Sequence, residues 1–496
     1  MELASPASVS LLLLLCLCCM VLTVAWKRPY HRGQLPPGPA PLPLLGNFLQ
    51  LDRKDVIKSL KKMRKRYGPV LTVYLGSRPV VVLCGYKAVK EALVDQAEQF
   101  SGRAEIPAFS KDFNGHGVVF ANGDRWKQLR RFSLTTLRNF GMGKRSIEER
   151  IQEEVQCLLE ELQKTKGAPF DPIFNLSRAV SNVICSIVFG NRFDYEDEKF
   201  IALNKLIFKR FRAAGLTSAQ LYNTFPGILE KIPGPHHMGS KCSQEIISFI
   251  SERIKMQQAT VDLNDPQNFI DCFLVKMEEE KQNPATEFSL ENLVMGTFNL
   301  FFAGTETIST TLRYGFLILL KYPQVQAKIH QEIDAVIGRE RIPTMDDRHK
   351  MPYTDATLHE IQRFSDILPM SLPHMTTRDT WFREYLIPKG TYVYPLLNTV
   401  HFDPEEHRNP EDFIPERFLD ANGCFQKQNA FMPFSAGKRV CLGESLARME
   451  LFLFFTAVLQ RFVLSSPVDP SRLSLVPDVS NLGKVPPRYQ LCLLRR

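Results

Sequence analysis

The sequence predicts a mainly α-helical body with a small β-region, preceded by one transmembrane anchor helix. Three observations carry this. A largely apolar helical segment runs from Ser289 to Lys321 and stops at Pro323; at 1.5 Å per residue it spans roughly 50 Å, enough to cross a domain. Strand character concentrates in two stretches, Val70 to Leu83 around Gly76 and Pro79, and Trp381 to Leu397 around the turn Pro388-Lys-Gly390. At the extreme N-terminus, Val9 to Trp26 carry no charge.

In chain order the anchor comes first. Its 18 uncharged residues are just long enough to span a bilayer. A cleaved signal peptide would open on a basic region, but here Glu2 precedes the run and Lys27, Arg28 and Arg32 follow it. By the positive-inside rule the C-terminal bulk stays cytosolic. Pro36-Pro-Gly-Pro-Ala-Pro-Leu-Pro43 then forms a stiff spacer that cannot continue a helix. The predicted organisation is an anchor over 1–26, a basic, proline-rich hinge over 27–45, and one compact domain over 46–496, helical from about Tyr86 onward except in the second strand region.

Composition narrows the function. The 496 residues include 35 Phe, which suggests aromatic-lined apolar space, and a net charge of +9, which suits an anionic partner or a membrane surface without requiring nucleic acid. Of the 11 Cys, three (Cys16, Cys18, Cys19) lie in the anchor and the rest are scattered with no C-x-x-C pair, which argues against zinc sites and a disulfide framework and suits a reducing face. Neither G-x-G-x-x-G after a strand nor G-x-x-x-x-G-K-[S/T] occurs, and Gly141-Met-Gly143-Lys144 fits neither. The chain is not expected to bind NADPH itself, so any electrons must come from a partner.

The most informative segment is Phe434-Ser-Ala-Gly437-Lys-Arg439-Val-Cys441-Leu-Gly443. A glycine-rich loop with two basic residues presents Cys441 just before an apolar segment, Leu442 to Leu453, that reads as a helix. A thiolate there is favoured by the helix dipole and free backbone N–H groups, the arrangement that suits a cysteine ligating haem iron. Gly437 permits a sharp turn, Gly443 lets the backbone approach a flat ring, Phe434 can shield the sulfur, and Arg439 can pair with a propionate. The competing reading is a buried structural cysteine.

A second signal is Ala303-Gly304-Thr305-Glu306-Thr307, midway along the long helix. Small residues there remove bulk beside a cofactor. Thr307 can bond back to the Ala303 carbonyl and bend the helix, or its hydroxyl can organise water; a packing notch is the bland alternative. Glu360 and Arg363 form an i,i+3 pair, with Pro415-Glu-Arg417-Phe418 downstream. Trp126 and Arg130 stand at i,i+4.

The spacing F-x-x-G-x-R-x-C-x-G, the A-G-x-E-T segment and the E-x-x-R/P-x-R-F triad together resemble cytochrome P-450 enzymes. Leu-Pro-Pro-Gly-Pro (35–39), Arg-Phe-Asp-Tyr-Glu-Asp (192–197) and Phe-Met-Pro-Phe-Ser-Ala-Gly-Lys-Arg (431–439) look like the vertebrate microsomal family 2. The resemblance implies the helix-rich P-450 fold. It implies Cys441 as the axial ligand of haem b, and Glu306 and Thr307 as the proton relay. Glu360, Arg363 and Arg417 would lock the segment behind the haem. Arg103, Trp126, Arg130, His374 and Arg439 would contact the haem propionates; from its residues alone, His374 reads as a satisfied loop histidine. Lys127, Arg131, Arg138 and Lys438 would lie on a basic proximal face that docks NADPH-cytochrome P-450 reductase and cytochrome b5, while Lys61-Lys62-Met63-Arg64-Lys65-Arg66 reads as a solvated, membrane-near face. Ile106, Phe109, Val119, Phe120, Phe211, Phe302, Ala303, Leu368, Leu372 and Leu482 are candidates for the pocket, with core packing the alternative for each.

The expected function is a haem-thiolate monooxygenase on the cytosolic side of the endoplasmic reticulum membrane. It would insert one atom of O2 into small lipophilic substrates (xenobiotics, steroids, fatty acids such as arachidonic acid) with NADPH electrons delivered by the reductase. One alternative is a P-450-type isomerase or dehydratase, which would turn over without NADPH and tends to lack the Glu306-Thr307 pair. Another is a non-catalytic haem-binding protein, which would show no substrate-induced spin change.

Overall fold

Valine-rich alternation makes the first hairpin. In the computed structural model, which describes residues 10, 12–20, 35–52, 55–140 and 145–496, strands β1 (Val70–Leu75) and β2 (Arg78–Cys84) pair antiparallel with Leu75 opposite Arg78. Gly76 takes a positive φ of 62° in the two-residue turn between them, where a side chain would be strained. Three further strands complete a five-stranded sheet: β3 (Gly102–Arg103), β4 (His374–Met375) and β5 (Tyr392–Leu396), in the order β1-β2-β5-β4-β3. β2 and β5 run parallel and the other neighbours antiparallel. The β3–β4 register sets Arg103 directly opposite His374. The rest of the second strand region forms a separate hairpin, Thr380–Phe382 with Tyr385–Ile387.

Helices make up most of the remainder. Those that shape the interior are α1 (Gly123–Asn139), α2 (Ile173–Val188), α3 (Glu198–Ala214), α4 (Leu290–Lys321), α5 (Pro352–Ser365) and α6 (Glu444–Arg461). The long helix read over Ser289–Lys321 is α4, one residue shorter because Ser289 is its N-cap and accepts from Asn292 N. Its Leu312–Leu320 stretch is buried on every side, as is Met449–Gln460 of α6. Helices that are mostly apolar and buried all round belong in the centre of a large domain, and these two share one hydrophobic core. The helix expected over Leu442–Leu453 begins two residues later, at Glu444, with Gly443 as N-cap, and runs on to Arg461.

The N-terminal expectations are only partly covered. Residues 12–20 are helical and exposed, but much of the run Val9–Trp26, the flanking Lys27, Arg28 and Arg32, and the Gly141–Lys144 stretch lie outside the described residues. No helix among the described residues is long and apolar enough to cross a membrane. Part of the proline-rich hinge lies on the sheet: the Pro37 carbonyl accepts from Thr72 N at 2.9 Å.

Behind the interior cavity a buried ion network fixes an irregular segment. The Arg363 Nε and Nη2 groups donate to the two Glu360 carboxylate oxygens at 2.7 and 2.8 Å, and Arg417 Nε lies 2.9 Å from Glu360 Oε2. Arg363 Nη1 donates to the carbonyls of His401 and Pro410, both at 2.8 Å, so one side chain ties α5 to a long loop. Removing one member of a buried pair leaves the other charge uncompensated, a cost of about 3–5 kcal/mol. Glu360→Gln is expected to lower unfolding free energy by about that amount, measured by denaturant titration against the unsubstituted protein.

Candidate active site

A cavity lies between α4 and the loop before α6, with about 280 Å³ open to the centres of water-sized molecules. Ala303, Gly304 and Thr307 of α4 line one wall, and Phe434, Cys441 and Gly443 line the opposite region. Ala303 is exposed although it stands in the middle of the central helix; its exposure is to this interior space.

Cys441 reaches the cavity through a tightly determined loop. Its N–H donates to the Phe434 carbonyl at 3.0 Å. Gly437 has a φ of 73°, and a Cβ there would sit 1.7 Å from the Leu93 carbonyl oxygen, so glycine is required by both conformation and space. The Cys441 sulfur is exposed, but toward the cavity it lines. Burial in protein pushes its thiol up; the Gly443 N–H and Arg130 pull it down, and Glu444 adds to the rise.

Three guanidiniums gather beside it. Arg103, Arg130 and Arg439 all line the cavity. Arg103 Nη1 donates to the Leu372 carbonyl at 2.8 Å, Arg130 Nη2 to the Val440 carbonyl at 2.6 Å, and Arg439 Nε to the Ser101 carbonyl at 2.7 Å. Arg439 also stacks 3.9 Å from the Trp126 ring centroid. No carboxylate pairs with any of the three among the described residues. Burial, with Arg103 and Arg130 adding repulsion, pushes Arg439 down to about 8; burial, with Arg130, pushes Arg103 down to about 9. Burial and neighbouring arginines likewise hold His374 down to about 3. Its Nδ1 lies 2.7 Å from the Phe100 carbonyl.

These residues fit a flat dianionic cofactor. Arg439 Nη1 and Trp126 Nε1 are buried donors without a hydrogen-bond partner, an arrangement that is costly unless an acceptor arrives; His374 Nε2 is unpartnered too, and becomes a donor only when the ring is protonated. Propionate oxygens are such acceptors and would neutralise the crowded guanidiniums. A sulfur ligand in the same cavity completes the set for haem.

The predicted acid–alcohol pair is split. Thr307 faces the cavity, with Oγ1 donating to the Ala303 carbonyl at 2.7 Å, the back-bonded alternative of the two foreseen. Glu306 is absent from the cavity lining. It pairs with Arg313 Nη2 at 2.7 Å, both side chains 1 % exposed, and accepts from Thr310 Oγ1 at 3.0 Å. Burial pushes the Glu306 carboxyl up against the pull of Arg313 and Thr310.

The expected pocket residues divide into three groups. Val119, Ala303, Leu368 and Leu372 line the main cavity. Ile106 and Leu482 line a smaller one of about 90 Å³. Phe109, Phe120, Phe211 and Phe302 join an aromatic cluster, with Phe109 5.4 Å from Phe302 and 5.5 Å from Phe120 between ring centroids. Two lining groups escaped the sequence reading. Asn299 Oδ1 accepts from both Val118 and Val119 N–H at 3.0 Å; standing one turn before Ala303, it was findable by helical period. Glu450 is a buried carboxyl in the cavity lining, hidden in sequence by the apolar run around it.

Gly437→Ala is expected to destabilise the protein by more than about 1 kcal/mol, because it adds left-handed strain and a backbone clash. A thermal shift of the cofactor-free protein checks it; an unchanged midpoint would show that the loop relaxes freely.

Comparison with known proteins agrees with this geometry. Residues 36–493 match the family model for cytochrome P450. The chain is 56 % identical over 487 residues to rabbit (Oryctolagus cuniculus) cytochrome P450 2G1, covering 98 % of this chain and 99 % of that protein. It is 55 % identical to goat (Capra hircus) cytochrome P450 2F3, covering 99 % and 100 %. To human cytochrome P450 2A13 it is 54 % identical, covering 98 % of each. The chain therefore belongs to the cytochrome P450 family, and it is a monooxygenase of that family's second branch.

Proposed function

We propose that Cys441 supplies the axial thiolate to haem b, and that the enzyme hydroxylates or epoxidises small lipophilic molecules at the α4 wall of the cavity. The observation that carries this reading is the convergence, on one interior space, of a cysteine sulfur, three uncompensated guanidiniums and unpartnered donors on Trp126 and Arg439. When bound, haem supplies dioxygen activation and delivers one oxygen atom to an apolar C–H or C=C bond, the other leaving as water.

The chain's own residues do the rest. Arg103, Arg130, Arg439, Trp126 and His374 hold the propionates. Phe434 covers the sulfur. Thr307 Oγ1, once released from the Ala303 carbonyl, holds water and hands on a proton. Glu306 is the proton source behind it, and reaches Thr307 by leaving Arg313. The apolar lining and the phenylalanine cluster select lipophilic substrates such as xenobiotics, steroids and fatty acids, arachidonic acid among them, and exclude bulk water.

Electrons come from NADPH through cytochrome P-450 reductase, with cytochrome b5 as a second donor. Lys127, Arg131, Arg138 and Lys438 are exposed, and α1 carries the first three while turning Trp126 and Arg130 inward. That one helix carries both the cofactor contacts and a basic outer face supports docking of an acidic flavoprotein there. The location proposed is the endoplasmic reticulum membrane, with the catalytic domain cytosolic.

The ferrous–CO difference spectrum tests the ligand. A red-shifted thiolate-type Soret band is expected, and Cys441→Ser should lose it; a histidine-type band in the unsubstituted protein would overturn the assignment. Thr307→Ala should keep that band while product per NADPH falls and peroxide rises. Normal coupling in that variant would take Thr307 out of proton delivery.

A further inference from the structure

Seven residues beyond Cys441, Arg448 on α6 has every nitrogen engaged. Its Nε and Nη2 donate to Glu444 Oε1 at 3.0 and 2.8 Å, and its Nη1 lies 3.0 Å from His359 Nε2. Arginine has only protons to give, so His359 Nε2 is the acceptor and its proton sits on Nδ1, which lies 2.7 Å from the Asp355 carbonyl. His359 Nδ1 also lies 3.3 Å from Asp355 Oδ1. The His359 ring is wedged between Phe425 and Phe431, at 4.5 and 4.9 Å between centroids, and cannot swing away. The Asp355 carboxylate is taken up by Arg348 Nε and Nη2 at 2.9 and 2.7 Å.

Two features aim this cluster at the cysteine loop. The Arg448 guanidinium lies 5.1 Å from the ring centroid of Phe434, whose carbonyl receives the Cys441 N–H. Glu444 stands three residues after Cys441, in the first turn of α6, and a carboxylate charge that close along the chain opposes negative charge on the sulfur. Arg448 is the cation bonded to that carboxylate.

We propose that Arg448, pinned by His359, is a positioning residue that screens Glu444 from Cys441 and so sets how much electron density the sulfur gives to haem iron. This rests on the haem-thiolate reading above. Reduction of the iron adds negative charge, so a bare carboxylate nearby makes it harder and a bare guanidinium makes it easier. The pair is partly solvated, with side chains 23 % and 36 % exposed, so its effect is largest at low ionic strength.

The test is a spectroelectrochemical titration of the ferric/ferrous couple in the haem-loaded protein, at low and high salt, with the ferrous–CO band recorded for each form. Arg448→Leu leaves Glu444 bare and should shift the potential negative. Glu444→Gln leaves Arg448 bare and should shift it positive. The double variant should return close to the starting value. A packing role alone would loosen the loop in both single variants and move them the same way. Shifts of equal sign, or no shift in either, would overturn the screening role while leaving a thiolate-type CO band, and with it the haem-thiolate reading, intact. Loss of that band in the unsubstituted protein would overturn both.

Discussion

Three clustered guanidiniums, Arg103 and Arg439 buried and Arg130 half-buried, with no carboxylate paired to them among the described residues, are the constraint on which the rest of the site depends. Each of Arg103, Arg130 and Arg439 is held by backbone carbonyls, which fix direction but leave the charge uncompensated. Positive charges crowded in a low-dielectric interior repel one another and lose hydration, and both effects appear as depressed basicity at Arg103 and Arg439. The arrangement becomes favourable when a dianion arrives. Asn122 reinforces it: its Oδ1 accepts from Arg103 N at 2.7 Å and from Arg439 Nη2 at 3.2 Å, so two of the cations share one anchor.

Holding such a cluster requires rigid surroundings, and these come from two directions. The β3–β4 register fixes Arg103 against His374. The Glu360–Arg363–Arg417 network, in which the buried Glu360 carboxylate accepts from Arg363 and from Ile414 N with Arg417 paired beside it, fixes the loop on the far side. A buried ion pair adds little net stability against an apolar replacement, but it is costly to break; its use here is to give one conformation to a segment without regular secondary structure. The proximal side thus works by charge and hydrogen bonding, whereas the roof works by aromatic packing.

What was legible in the sequence was whatever is local. The long α4 helix declared itself by its apolar length and its bounding Ser289 and Pro323. The cysteine loop declared itself because Gly437, Arg439 and Cys441 stand within a few residues of one another. Contacts between distant segments were not legible from composition or period: Arg103 meets His374 across the chain, and Gly437 is required by the Leu93 carbonyl. Arg103 and His374 became candidates only through family resemblance. The ion pair of Glu306 with Arg313 is a different case. Seven residues is two helical turns, so the partner was readable on the same face of α4.

That pairing constrains the proton relay proposed for Glu306 and Thr307. Neighbouring residues on a helix project about 100° apart, so Glu306 and Thr307 cannot face the same space while α4 stays regular. Thr307 takes the cavity face and Glu306 the face shared with Arg313 and Thr310. For the acid to serve the alcohol, either its side chain must swing off Arg313 or water must bridge the step between the two faces. The first route leaves a buried guanidinium without its anion, which is expensive. It is eased here because Arg313 also donates to the Ser309 carbonyl and to Thr310 Oγ1, so the cation keeps partners when the carboxylate leaves. Burial that raises the Glu306 carboxyl works in the same direction, since a group that takes up a proton is freed from its ion pair. In the relay proposed for Glu306, the desolvation that raises its carboxyl is what would let it take up a proton and part from Arg313.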